Sequence, residues 1–204
     1  MAELGILLLA FVAGSIPFSN LVARRTRGVD LRDTEYNAIS GTALYRVAGF
    51  GALVVSGLCD LAKGAIGPLV AGTDRPTLAA LAGGAAVIGH NWSPFLRGLG
   101  GRGVGPAVGA LLVNAWPGAV VLLGAMVVGR MFRQTGVGGF FGEVLLAPVL
   151  WLTNGASGAL AGAAVAVPML LKRMVGNARP PEAGWRPYAR RLLLDHDPES
   201  PGPS

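Results

Sequence analysis

The sequence predicts an all-α integral membrane protein: a compact bundle of seven transmembrane helices, N-terminus outside and C-terminus cytoplasmic. Three observations predict it. Of 204 residues, 52% are hydrophobic and only 14% charged, with mean hydropathy +0.54, which is too little charge for a soluble domain of this length. Apolar runs long enough to cross a bilayer recur along the whole chain. The 32 glycines exceed what soluble helices carry and suit helices packed backbone to backbone in lipid.

The first span is expected from about Leu4 to Ala23. Glu3 precedes it and the basic cluster follows it, so it reads as a retained span with its N-terminus outside rather than as a signal peptide. A polar loop holds Arg24, Arg25, Arg27, Asp30, Arg32, Asp33 and Glu35. The second span is expected over Val47 to Ala71 and, after a turn at Thr73-Asp74-Arg75-Pro76, the third over Thr77 to Leu96. A loop with Arg97 and Gly100-Gly101-Arg102-Gly103 follows. Val104 to Gly129 is apolar but interrupted at Asn114-Ala115-Trp116-Pro117. Past Arg130 and Arg133, two more runs cover about Gly139 to Thr153 and Ala156 to Leu171. Residues 1–175 thus read as one polytopic membrane domain and 176–204 as a charged, Pro-rich cytoplasmic tail with a disordered end.

The span count turns on the interrupted 104–130 stretch, which holds about 26 residues, enough for one long span or two short ones. One crossing gives six spans and puts Glu3 and the basic tail on the same face. Two crossings give seven, place every arginine-bearing loop and the tail in the cytoplasm, and leave only Arg75 outside. The positive-inside rule favours seven. The net charge of +6 sits in short loops between spans, so nucleic acid is excluded as a partner, and membrane lipid or anionic substrates fit. Cys59 is the only cysteine, which rules out a disulfide framework or a thiolate metal site.

Several residues could carry chemistry. Asp60 and Lys63 lie three apart on one helical face; a structural ion pair is the plainer account, although ionisable groups inside spans are often functional. The amides of Gly100, Gly101 and Gly103 could cradle an anion at the start of the next helix, with Arg102 binding phosphate through paired hydrogen bonds; an ordinary interhelical turn is the alternative. His90 could act as a base or phosphate ligand, or be a hydrogen-bonded structural histidine. With only His196 beside it in composition, no metal cluster is expected. Asp30, Arg32, Thr42 and Arg46 line the first loop, where such charges usually form a solvated face.

Taken in order, these pieces resemble the bacterial acyl-phosphate:glycerol-3-phosphate acyltransferases, the PlsY family. The resemblance runs from Gly14-Ser15-Ile16-Pro17 through Asp30-Leu31-Arg32, Arg46 and Gly49, then Asp60-Leu61-Ala62-Lys63-Gly64 and Gly89-His90, to Gly100-Gly101-Arg102-Gly103-Val104. It implies seven spans in a bacterial cell membrane and an active site near the cytoplasmic face. It also implies transfer of a fatty acyl group from acyl phosphate to glycerol 3-phosphate, forming lysophosphatidate without a cofactor or acyl-CoA. On the same ground Arg102 and the glycines would hold acyl phosphate, Arg46 would help hold a phosphate, Arg32 and Thr42 would join in binding substrate, and His90, Asp60 and Lys63 would shape the site.

The chain also departs from the pattern. Where the family reads Gly-Ser-Gly-Asn-x-Gly-Ala-Thr-Asn, this chain has Glu35-Tyr36-Asn37-Ala38-Ile39-Ser40-Gly41-Thr42-Ala43, and only Thr42 survives clearly. The family's serine pair falls at Gly136-Val137, its late His and Asn at about Pro168 and Leu170, and its loop lysine is Arg102, which keeps charge but changes geometry. Tyr36, Asn37 and Ser40 are polar and could recognise a related acceptor. A non-catalytic relative that binds lipid, anion or a membrane protein partner therefore stands as the alternative. A small transporter is a third reading, disfavoured because the halves show no inverted repeat.

Overall fold

The structure is a computed structural model that describes residues 1–34, 39–178, 180 and 184–195. Every regular element among the described residues is helical: α1 (Ala2–Ser15), α2 (Phe18–Arg27), α3 (Gly41–Ala71), α4 (Pro76–Asn91), α5 (Val104–Asn114), α6 (Trp116–Met131), α7 (Thr135–Val175) and α8 (Arg186–Leu194), with short 3₁₀ turns at Leu31–Asp33 and Pro94–Leu96. The stretches Ala2–Arg27, α3 and α7 are each long and apolar enough to cross a membrane, and α5 and α6 are shorter apolar helices.

Proline and glycine set the breaks. Ile16 is extended (φ −62°, ψ 119°), as the residue before a proline prefers, so the first apolar run divides into α1 and α2. Pro76 and Pro117 sit in the first turns of α4 and α6, where no amide is needed. The 104–130 stretch breaks at Ala115 (φ −164°, ψ 80°), and α6 returns against α5: a Cβ on Gly118 would lie 2.9 Å from Leu111. Helix α7 is interrupted at Gly155 (φ 68°, ψ −155°), a conformation that L side chains avoid. Its halves fold back on one another, since a Cβ on Gly162 would come within 2.8 Å of the Leu146 backbone.

The packing is that of helices in lipid. Small residues let backbones approach: a Cβ on Gly14 would strike the Ala86 backbone, and one on Gly64 the Pro106 backbone. The main core joins Val87, Leu111, Leu122, Leu146, Val165 and Met169 from α4 to α7. Large apolar side chains such as Leu58, Leu69, Val127 and Leu152 point outward. The tail contains an element the sequence reading did not foresee: α8 packs against α7, and its Arg191 is fully buried.

Candidate active site

The break at Ile16–Pro17 leaves carbonyls at the end of α1 without helical donors, which is costly in an apolar setting. Two side chains supply them. Lys63 Nζ donates to Ile16 O at 2.6 Å and Ser93 Oγ donates to Ser15 O at 2.6 Å. Lys63 also pairs with Asp60 at 2.8 Å and lies 5.5 Å from the centre of the Phe18 ring. Both members of this i,i+3 pair are buried, so each neutralises the other where removal of one would be expensive.

His90, near the end of α4, turns Nδ1 toward Asp60 at 3.8 Å, beyond hydrogen-bond range. Its Nε2 edge faces Gly101, where a Cβ would collide with it. Ile16, Phe18, Lys63, His90, Gly100 and Gly101 enclose a small space, roughly that of one water molecule. The structure thus brings together Asp60, Lys63, His90, Gly100 and Gly101.

The glycine loop is bound more tightly than an anion cradle requires. Gly101 N donates to His90 O at 3.3 Å and Gly100 N to Asn177 Oδ1 at 3.2 Å. Asn177 Nδ2 returns a bond to Gly100 O at 3.0 Å, and its Oδ1 also takes Lys172 Nζ at 2.7 Å. Two of the loop's amides therefore have protein acceptors. Gly103 (φ 81°) precedes α5, and a Cβ there would lie 2.8 Å from Asn91 Oδ1 and from Val87, so close contact with α4 accounts for this glycine.

Arg102 points away from that space, toward α7 and α8. Its Nη1 donates to Lys172 O at 3.0 Å, and its Nε meets Asp195 Oδ1 at 2.8 Å. Beside it, Arg173 Nε is shared between the two oxygens of Glu143 at 2.8 and 2.9 Å, while Arg173 Nη1 donates to Gly136 O at 3.0 Å. Sequence reasoning missed Glu143, Asn177, Arg191 and Asp195 as parts of this end of the bundle. A lone glutamate inside an apolar run was the signal that could have found Glu143; the others become visible only when the tail is seen folded back.

The remaining candidates come from the first loop and the start of α3, whose Leu31, Ile39 and Leu44 pack on Leu96 beside the glycine loop. Arg32 forms a two-pronged pair with Asp30 at 3.0 and 2.7 Å, so its fork is engaged within its own loop. That guanidinium holds the Asp30 carboxyl well below the usual carboxylate range. Ser40 caps α3, its Oγ accepting from Ala43 N at 3.2 Å. Thr42 and Arg46, one turn apart on α3, are exposed. Tyr36 and Asn37, with His196, lie outside the described residues.

Comparison with known proteins follows the same outline. A family profile described as glycerol-3-phosphate acyltransferase matches residues 4–179. The glycerol-3-phosphate acyltransferase of Synechococcus sp. (strain CC9902) is 34% identical over 191 residues, 92% of this chain and 95% of that protein. That of a Thermus thermophilus strain is 39% identical over 155 residues, 71% of this chain and 77% of that protein. In fold, the chain is similar to the crystal structure of PlsY (YgiH), an integral membrane glycerol 3-phosphate acyltransferase, in its glycerol 3-phosphate form, with TM-score 0.76, 21% identity, and coverage of 85% of this chain and 88% of that one. With a family match over nearly the whole helical bundle, this chain belongs to the glycerol-3-phosphate acyltransferase family.

Proposed function

We propose that this protein transfers a fatty acyl group from acyl phosphate to glycerol 3-phosphate, yielding lysophosphatidate and inorganic phosphate. In this reaction the acceptor hydroxyl oxygen attacks the acyl carbonyl and the carbon–oxygen bond to phosphate breaks. The hydroxyl proton leaves with the phosphate, so no protein base is required. The observation that carries the reading is the gathering of Lys63, Arg102, Lys172 and Arg173 around one end of the bundle, all within the family-matched residues 4–179. Two phosphorylated substrates need fixed cations to neutralise and orient them.

In this reading Arg102 and Arg46 hold phosphate, with Thr42 one turn from Arg46, and Asp60, Lys63 and His90 hold the α1–α2 break and the glycine loop in register. The reaction takes place at the cytoplasmic face of a bacterial cell membrane, with seven crossings. The breaks at Ala115 and Gly155, each followed by a return of the chain, support that count. An altered acceptor is the second reading. It is favoured by Ala43, a buried methyl group where the resemblance expects an asparagine.

Phosphate release from palmitoyl phosphate by purified protein in lipid tests the proposal. Release that rises with glycerol 3-phosphate is expected. Arg102→Ala is expected to lower kcat by about 10²–10³; full activity in that variant would refute the assignment of Arg102. Release stimulated by another polyol phosphate but not by glycerol 3-phosphate, and weakened by Tyr36→Phe or Asn37→Ala, would establish the second reading.

A further inference from the structure

We infer that Asp195 sets the affinity of Arg102 for phosphate, because its carboxylate occupies a guanidinium edge that an incoming phosphate needs. The inference rests on the reading of Arg102 as a phosphate-binding residue and adds to it an internal competitor.

A guanidinium offers two edges for paired hydrogen bonds, Nε with Nη2 and Nη1 with Nη2. In Arg102 each edge faces a protein oxygen: Asp195 Oδ1 lies 2.8 Å from Nε as an ion pair without a hydrogen bond, and Lys172 O accepts from Nη1 at 3.0 Å. The two partners differ in how readily they yield. Lys172 O belongs to the last turn of α7 and also accepts from Gly176 N at 2.9 Å, so it cannot move without unwinding the helix. Asp195 lies one residue past α8, with a quarter of its side chain exposed. Its other oxygen is 3.9 Å from Arg173 Nη1, so one carboxylate stands between two arginines, as a pair of phosphate oxygens would.

The segment bearing Asp195 is docked by contacts of its own. Arg191 Nη1 donates to Val175 O at 3.1 Å and Ala178 O at 2.8 Å, filling one carbonyl at the end of α7 and one just past it. Leu194 O rests against Gly136, where any Cβ would collide with it. Helix α8 lies beyond the family-matched residues 4–179. The Asp195 side of the grip on Arg102 is therefore supplied by the C-terminal segment, and the Lys172 side by the matched bundle.

The test is calorimetric binding of inorganic phosphate to the full chain in maltoside micelles, for wild type, Asp195→Asn, Arg191→Ala and Arg102→Ala. Asp195→Asn keeps the shape and removes the charge, and is expected to bind phosphate roughly three- to tenfold more tightly. Arg191→Ala, which undocks α8, should shift binding in the same direction; if it does not fold, Asp195→Asn still decides. In turnover, KM for palmitoyl phosphate should fall in Asp195→Asn with kcat retained. Unchanged or weaker phosphate binding overturns the inference, as does a fall in kcat at constant KM, which would make Asp195 a positioning residue for Arg102. If Arg102→Ala binds phosphate as wild type does, the phosphate-site reading itself fails and the inference falls with it. If Arg102→Ala abolishes binding and Asp195→Asn does not tighten it, only the inference fails.

Discussion

Asn177 ties three parts of the candidate site together with one amide. Its oxygen accepts from Gly100 N and Lys172 Nζ, and its nitrogen donates to Gly100 O. Asn177→Ala would leave an amide, a carbonyl and an ammonium group short of partners, each a desolvation cost of about 1–3 kcal/mol. A fall of several degrees in thermal midpoint, with loss of activity, is the expected outcome; unchanged stability in micelles would contradict this account of the loop. The Glu143–Arg173 pair is fully buried, with side-chain exposure of 0% and 2%. Breaking such a pair by removing one partner costs about 3–5 kcal/mol, so Glu143→Ala is expected to yield little folded protein, whereas an exposed change such as Arg130→Ala should be neutral in yield. At Asp30 the folded-state carboxyl is shifted down by Arg32. The stability it contributes is complete above the ordinary carboxylate pKa of about 3.9 and is lost as pH falls from there toward the lowered value. Asp30→Asn should therefore flatten the acid limb of the stability profile below about pH 4, and an unaltered limb would show that the pair is not coupled to folding.

At the scale of elements, the division of the chain into helices was legible in the sequence because prolines and polar interruptions mark it. Thr73-Asp74-Arg75-Pro76 and Asn114-Ala115-Trp116-Pro117 each coincide with a break, and Pro17 divides the span expected over Leu4 to Ala23 into α1 and α2. The turn-back at Gly155 falls between the two apolar runs expected at 139–153 and 156–171. The break at Gly49 was not legible, since one glycine among 32 carries no mark of its positive φ of 83°. Nor was α8, a nine-residue helix in a stretch whose composition reads as a polar tail; its stability comes from docking Arg191 on the α7 carbonyls, a tertiary effect that no local pattern announces. Glycines within helices divide by what they face. Gly64→Ala would drive a methyl group into the Pro106 backbone, while Gly57 has nothing within 4 Å. Gly64→Ala is expected to destabilise by about 1–3 kcal/mol through overpacking, and Gly57→Ala to be neutral or slightly stabilising. Equal effects in a denaturation series would contradict the close α3–α5 approach.

For the whole molecule, arginine-rich loops and exposed tryptophans such as Trp116 and Trp151 offer a membrane the basic residues and interfacial aromatics that set orientation. Replacing Cys59 and adding single cysteines at Asp74 or Arg97 tests the seven-crossing topology. Position 74 should react with an impermeant thiol reagent from outside intact cells and position 97 only after permeabilisation; the reverse pattern would invert the account. The candidate site was legible in part. Asp60, Lys63, His90 and the glycine loop converge as a set because the middle of α3 faces the end of α4 and the loop that leads into α5. Arg102 turns to partners from α7 and α8 that lie 70 or more positions further along the chain, and sequence spacing holds no information about such meetings. The central claim, an acyl transfer driven by acyl phosphate, is tested most directly by following labelled glycerol 3-phosphate into lysophosphatidate with protein reconstituted in liposomes, supplied with palmitoyl phosphate or with palmitoyl-CoA. Product from palmitoyl phosphate alone, lost in Arg102→Ala, is the predicted result; product from palmitoyl-CoA, or none from either donor with folded protein, would contradict it.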